Sequence, residues 1–164
     1  MAEPLRLCYI GAGGFTNACM YPQLSRHAVE LVAVCDLVEA KAHAAAAQYG
    51  FGTVYTDFRA MLEVEQPDCV ICVGGPRVHY EVGREVLARG FPLYVQKSPA
   101  PSAAQTQELA DLAAAQGLVC HVGFNLRSCA AALAAKEAIA EPGFGPVCLG
   151  IVRYGLVFGQ TLRD

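Results

Sequence analysis

Tryptophan is missing from this 164-residue chain, so no indole emission reports on its folding or its ligands. Charge is scarce as well: 16% of the residues are Asp, Glu, Lys or Arg, and 15 acidic side chains against 12 basic ones leave a formal net charge of -3. The lysines and arginines are dispersed, without the basic stripe that a nucleic-acid backbone requires. Long apolar runs are absent. No stretch reaches the roughly 18 residues of a membrane-spanning helix. The N-terminal MAEPLRLCYIGAGG carries an early acidic residue and only a short apolar run before its glycines, unlike a secretory leader. Nucleic acid and membrane are thereby set aside, and a small molecule is the expected partner.

What the chain does have is apolar bulk. Hydrophobic residues make up 54% of it, too many for a disordered chain. Its length suffices for one well-buried core and is short for two. Eight cysteines raise the question of a disulfide framework or a metal site, and their surroundings argue against both. Most lie in apolar runs (LCYI, AVCD, DCVICV, LVCHV), where free cysteine packs as a small hydrophobe. Cys69 and Cys72 form a C-x-x-C inside a segment that reads as a strand. Residues three apart on a strand point to opposite faces, a poor arrangement for clamping an ion or closing a bridge. The usage fits a reducing cytoplasm.

Strand and helix signals alternate. Strands are expected at Leu5 to Ile10, Glu30 to Cys35, Thr53 to Tyr55, Asp68 to Val73, Leu93 to Val95 and Leu118 to Val122. Helices are expected at Gly14 to Arg26, Val38 to Tyr49, Asp57 to Glu65, Val78 to Arg89 and Ser102 to Gln116. Near-continuous apolar strands, each leading into an amphipathic helix, predict an α/β fold: a doubly wound parallel sheet covered on both faces. The tail reads differently. A helix from Ala130 to Ala140, the break EPGFGP and a long strand from Val147 to Phe158 suggest the start of a second α/β domain that is truncated. The expected division is a dinucleotide-binding domain over 1–123, then a linker helix and first strand of an incomplete substrate domain over 124–164. An uncovered apolar strand there would pair with another copy, so a homo-oligomer through this segment is expected.

The strongest local signal is Gly11-Ala12-Gly13-Gly14-Phe15-Thr16, directly after the first strand and opening a helix. Gly11 permits the tight turn and Gly13 lets the backbone approach a pyrophosphate. The amides that follow, at Gly14, Phe15 and Thr16, face that charge with the helix dipole behind them. Thr16 stands where the G-x-G-x-x-G pattern has its third glycine. Asp36 ends the second strand, 25 positions after Gly11, where a carboxylate accepts hydrogen bonds from ribose hydroxyls; it also reads as a helix N-cap. Leu37 follows it, with no arginine for a 2′-phosphate, so NAD is the expected cofactor and NADP the alternative.

The ordered series GAGGFT, VAVCD, YTDFRAML, PDCVICVGGPRVHYEVGREVLARG, VQKSPAPS, GFNLR and EPGFGPV resembles the glucose-fructose oxidoreductase / inositol dehydrogenase (Gfo/Idh/MocA) family over nearly the whole chain. The resemblance implies an N-terminal Rossmann domain and a C-terminal domain on a large open sheet. It also implies NAD(P)-dependent oxidation or reduction of a hydroxyl carbon of a sugar, polyol or related compound. Gln96-Lys97-Ser98 matches the family's Glu-Lys-Pro, which implies Lys97 beside the nicotinamide ribose and the substrate hydroxyl as the catalytic lysine, with Gln96 alongside. Gly74, Pro76 and His79 match the loop that runs along the cofactor; His79 taken alone reads as a helix-start or core histidine. Asn125 and Arg127 match the segment at the mouth of the site, where they would touch substrate, or else cap the next helix. The family's Asp and His on a helix of the C-terminal domain, its usual acid/base, have no counterpart in this chain. Two readings stay open: the cofactor-binding part of a dehydrogenase, inactive by itself, and a non-catalytic dinucleotide-binding sensor or scaffold.

Overall fold

The structure is a computed structural model that describes residues 3–152. It divides into two compact units, one ending at Phe124 and one beginning at Asn125. In the first unit, six strands alternate with helices: β1 (Leu5–Ile10), β2 (Val29–Cys35), β3 (Thr53–Tyr55), β4 (Cys69–Cys72), β5 (Leu93–Gln96) and β6 (Cys120–Gly123). The helices are α1 (Tyr21–Leu24), α2 (Glu39–Tyr49), α3 (Phe58–Glu65), α4 (Pro76–Ala88) and α5 (Ala103–Ala115). The sheet is parallel throughout, in the order β3-β2-β1-β4-β5-β6. This is the doubly wound Rossmann arrangement, with the winding direction reversing between β1 and β4.

The two-residue period of a strand sends alternate side chains of β1 into two cores. Cys8 and Ile10 join Met61 and Leu62 of α3 and Val86 and Leu87 of α4 on one face. Leu7 and Tyr9 join Tyr21 and Leu24 of α1 and Ala42 and Ala45 of α2 on the other. Cys69 and Cys72 likewise pack into different cores. Truncating a fully buried side chain such as Leu87 to alanine would cost about 2–5 kcal/mol. Side chains also start the helices: Asp57 accepts from the Arg59 amide at 2.9 Å, and Ser102 from the Gln105 amide at 3.3 Å.

Two departures from the sequence reading stand out. The helix after the glycine loop is not uniformly α: residues 16–20 (Thr16–Met20) wind as a π-helix before α1. Thr16 is only 1% exposed there, in the place where a glycine would let the helix close on the strand. In the second unit, α6 (Ala130–Ala140) forms as expected and buries none of its residues. The strand expected over Val147 to Phe158 lies partly outside the described residues. Its described part, 147–152, forms no strand, because a strand exists only through bonding to a neighbour and none adjoins it among the described residues.

Candidate functional site

Register brings the chemistry together. Ile10 at the end of β1 sits opposite Cys35 of β2 and Cys72 of β4, so the loops carrying Gly11, Asp36 and Gly74 leave the sheet side by side. Gly11 has φ 104°, and a Cβ there would run into the Val73 carbonyl. Its amide donates to the Cys35 carbonyl at 2.8 Å. Gly13 and Gly14 have open space where a side chain would begin, with nothing within 4 Å. The first-turn amides of the following helix have no intrahelical acceptor. The loop therefore offers donors and room for an anion, the cradle a dinucleotide pyrophosphate needs. Phe15 is half exposed beside it.

Three polar side chains that the sequence reading passed over fix this loop. Asn17 donates through Nδ2 to the carbonyls of Ala12 at 3.0 Å and Gly13 at 2.8 Å. Tyr21 donates its hydroxyl to the Gly11 carbonyl at 3.1 Å, and Tyr49 donates to the Asn17 carbonyl at 3.0 Å. The signal was slight: one asparagine just past a glycine motif, and two tyrosines that read as core. The hydroxyls of Tyr9 and Thr16 are both buried beside this loop.

Asp36 is half-buried and braces the turn. Its Oδ2 accepts from the Ala12 amide at 2.7 Å and its Oδ1 from the Val38 amide at 2.9 Å. Each carboxylate oxygen keeps a lone-pair site for a further donor such as a ribose hydroxyl. Beside it opens a cavity of about 510 Å³, walled by Ile10, Val73, Val78, Val82 and Phe58. Gly11, Asp36 and Gly74 also line it. Its size and mixed lining suit one flat heterocycle with a sugar.

The loops after β4 and β5 are tied by His79, which is fully buried. The Gly74 amide donates to Nε2 at 2.8 Å, which leaves the proton on Nδ1, and Nδ1 donates to the Ser98 carbonyl at 2.8 Å. Burial holds this imidazole below its ordinary pKa, and the Lys97 charge acts in the same direction against the opposing Ser98 bond. With both nitrogens committed, His79 is a core histidine that joins two loops. Pro76 opens α4 at its first turn. Gln96 is buried, and its Oε1 accepts from the Lys97 amide at 2.8 Å. A Cβ at Gly123 of β6 would collide with that same oxygen and with the Tyr94 hydroxyl. Lys97 itself is exposed, one residue past β5.

Asn125 and Arg127 lie in a short 3-10 turn, Asn125–Ser128, of the second unit, and both are exposed. Neither caps α6: the residue before that helix is Cys129, which makes no side-chain cap.

Residues 5–124 match the family described as "Oxidoreductase family, NAD-binding Rossmann fold". The chain is 32% identical to D-glucoside 3-dehydrogenase of Escherichia coli (strain K12) over 155 residues, covering 93% of this chain and 44% of that protein. It is 31% identical over 84 residues to inositol 2-dehydrogenase/D-chiro-inositol 3-dehydrogenase of Lactiplantibacillus plantarum, covering 51% and 24% of the two. The crystal structure of a dehydrogenase from Chromobacterium violaceum shares the fold, with a TM-score of 0.79 at 23% identity over 84% of this chain and 41% of that one. The chain thus spans less than half the length of these relatives. With its glycine turn, its β2 carboxylate and a family match over most of its length, the chain belongs to the Gfo/Idh/MocA oxidoreductase family.

Proposed function

We propose that the chain is the NAD-binding part of a dehydrogenase that acts on a hydroxyl carbon of a sugar, polyol or related small molecule. The observation that carries this is the joined pair of Asp36 and the glycine turn at the rim of the apolar cavity. Adenine would enter the cavity, the ribose would meet Asp36, and the pyrophosphate would lie over Gly13, Gly14, Phe15 and Thr16. When bound, the dinucleotide supplies hydride acceptance or donation at its nicotinamide. The residues of this chain bind and orient: Gly74 and Pro76 border the cofactor, His79 fixes the loop that presents Lys97, and Gln96 holds the Lys97 backbone. The Lys97 ammonium would donate to the substrate oxygen, with Asn125 and Arg127 as substrate contacts. NAD is favoured over NADP because Asp36 brings negative charge to the ribose and Leu37 brings no cation.

Titrating NADH against the chain and reading NADH emission tests this directly, since no tryptophan contributes background. Saturable binding is expected, and its absence would overturn the cofactor assignment. Turnover of sugars and polyols by the longer protein tests the reaction. A second reading, a dinucleotide-binding sensor or scaffold, is favoured by Gln96 and Ser98, which replace the charged and rigid neighbours the family places around its lysine. NADH binding without turnover of any polyol or sugar would select it.

Two further assignments belong to this proposal. Eight free cysteines, three of them fully buried, suit the reducing cytoplasm. Exposed Val147, Leu149, Ile151 and Val152 favour self-association through the C-terminal segment. Light scattering at tens of micromolar is expected to show dimers or larger species.

A further inference from the structure

The cavity beside Asp36 has an uneven set of charges. Asp36, Asp57 and Glu81 line it against a single cation, Arg59. Asp57 and Arg59 sit at the start of α3, where Asp57 accepts the Arg59 amide at 2.9 Å. The Arg59 side chain is not left to the cavity. Its guanidinium carbon lies 4.6 Å from the centroid of the Phe58 ring, and its Nε reaches Glu85 Oε2 on α4 at 2.8 Å. Glu85 is in turn held through its other oxygen by Arg89, at 2.9 Å. Stacked on Phe58 and bonded through Nε, the guanidinium is positioned on α4 with its charge offset by Glu85.

This arrangement decides what the ribose end of a dinucleotide meets. A 2′-hydroxyl needs an acceptor, which Asp36 supplies. A 2′-phosphate brings about two negative charges and needs a cation to offset the carboxylates. Among the described residues Arg59 alone brings a cation to the cavity lining, and Glu85 offsets its charge.

We propose that Glu85, which lies outside the nucleotide pocket, is a specificity-determining residue: by holding Arg59 on α4 it withholds the one cation that would accept a 2′-phosphorylated dinucleotide. Discrimination against NADPH is then divided between a repelling carboxylate, Asp36, and a sequestered arginine. The inference rests on the cofactor reading given above.

The test uses the chain and three variants, Glu85→Gln, Arg59→Gln and the two combined, titrated with NADH and NADPH at low and moderate salt. In Glu85→Gln, NADPH affinity is expected to rise about tenfold, the scale of one charge-assisted contact, while NADH affinity stays within about twofold. The gain should shrink with added salt. It should vanish in the double variant, which assigns it to Arg59 rather than Arg89. Intact NADH binding with unchanged NADPH affinity in Glu85→Gln overturns the inference alone, as does a gain that persists in the double variant. Absence of NADH binding by the unaltered chain overturns both the inference and the cofactor reading beneath it. Circular dichroism of each variant separates these outcomes from loss of fold.

Discussion

Asp36 and Ala12 are joined by a 2.7 Å hydrogen bond in which the Ala12 amide donates to Oδ2 of the carboxylate. The end of β2 thereby holds the turn at the end of β1, and the group expected to meet ribose also shapes the loop expected to meet phosphate. Asp36→Ala removes the carboxylate acceptors of two backbone amides, those of Ala12 and Val38, for a stability loss of about 1–3 kcal/mol. NADH affinity is expected to fall by about tenfold or more, and NADPH affinity by less, because the variant also removes a repelling charge. Parallel titrations and a thermal melt measure all three, and equal losses for both dinucleotides would count against the ribose assignment.

Two glycines of the same loop should fail in different ways. Gly13→Val adds bulk into space that holds no other atom within 4 Å, so the fold should survive while NADH binding is lost. Gly11→Ala meets both a left-handed backbone at φ 104° and the Val73 carbonyl, so the fold itself should suffer. Melting temperature and NADH titration on both variants show the contrast. A stable Gly11→Ala would disprove the close approach.

His79 should make the fold sensitive to acid. In the unfolded chain it takes up a proton below about pH 6.5, whereas burial keeps it neutral in the folded chain to lower pH. Below that point the unfolded state binds more protons, so stability falls as pH falls and is fully present above it. His79→Leu should abolish this dependence and cost about 2–4 kcal/mol, since it strands the Gly74 amide and the Ser98 carbonyl. Denaturant midpoints between pH 5 and 8 would reveal it, and identical pH profiles for the two proteins would refute it.

Much of this was legible in the residues, and the exceptions have physical causes. LCYI, ELVAVC and DCVICV announced parallel strands because each is apolar on both faces. The glycines after the first apolar run announced a tight strand–turn–helix loop because strand, turn and helix signals came in order. The π-winding from Thr16 was hidden, because a local pattern of apolar residues does not distinguish one helical winding from another. The brace of Asn17 and Tyr49 was hidden too, since it joins positions 32 residues apart. The ion pair of Arg59 with Glu85 belongs to the same class: it joins two positions 26 residues apart, on α3 and α4. His79 read either way, and only burial with two committed nitrogens made it a core residue.

Lys97 separates enzyme from module. Its side chain is exposed, so Lys97→Met should leave stability within about 0.5 kcal/mol and NADH affinity nearly unchanged. In a protein that spans the full length of the relatives, the same change is expected to lower turnover by roughly 100-fold or more, the scale of a positioned proton donor. Full turnover in that variant would remove Lys97 from the chemistry.

Thiol reactivity offers a check on the fold. Burial pushes the Cys8, Cys35 and Cys72 thiols up to about 12, and raises those of Cys69 and Cys120 as well. Cys19, Cys129 and Cys148 are exposed. A neutral-pH alkylating reagent should therefore label Cys19, Cys129 and Cys148 quickly, Cys69 and Cys120 more slowly, and Cys8, Cys35 and Cys72 only on unfolding. Rapid labelling of Cys72 would contradict the core described for β4.

The contact at Gly123 gives the last strand of the sheet a say in a loop it does not belong to. A single methyl group there would press on Gln96, and Gln96 is what grips the amide of Lys97. Position 123 is thus a steric lever: one carbon added at the end of β6 would push on the Gln96 amide group that accepts from the Lys97 backbone. A substitution at the sheet's edge strand can therefore reach the loop after β5 through packing alone.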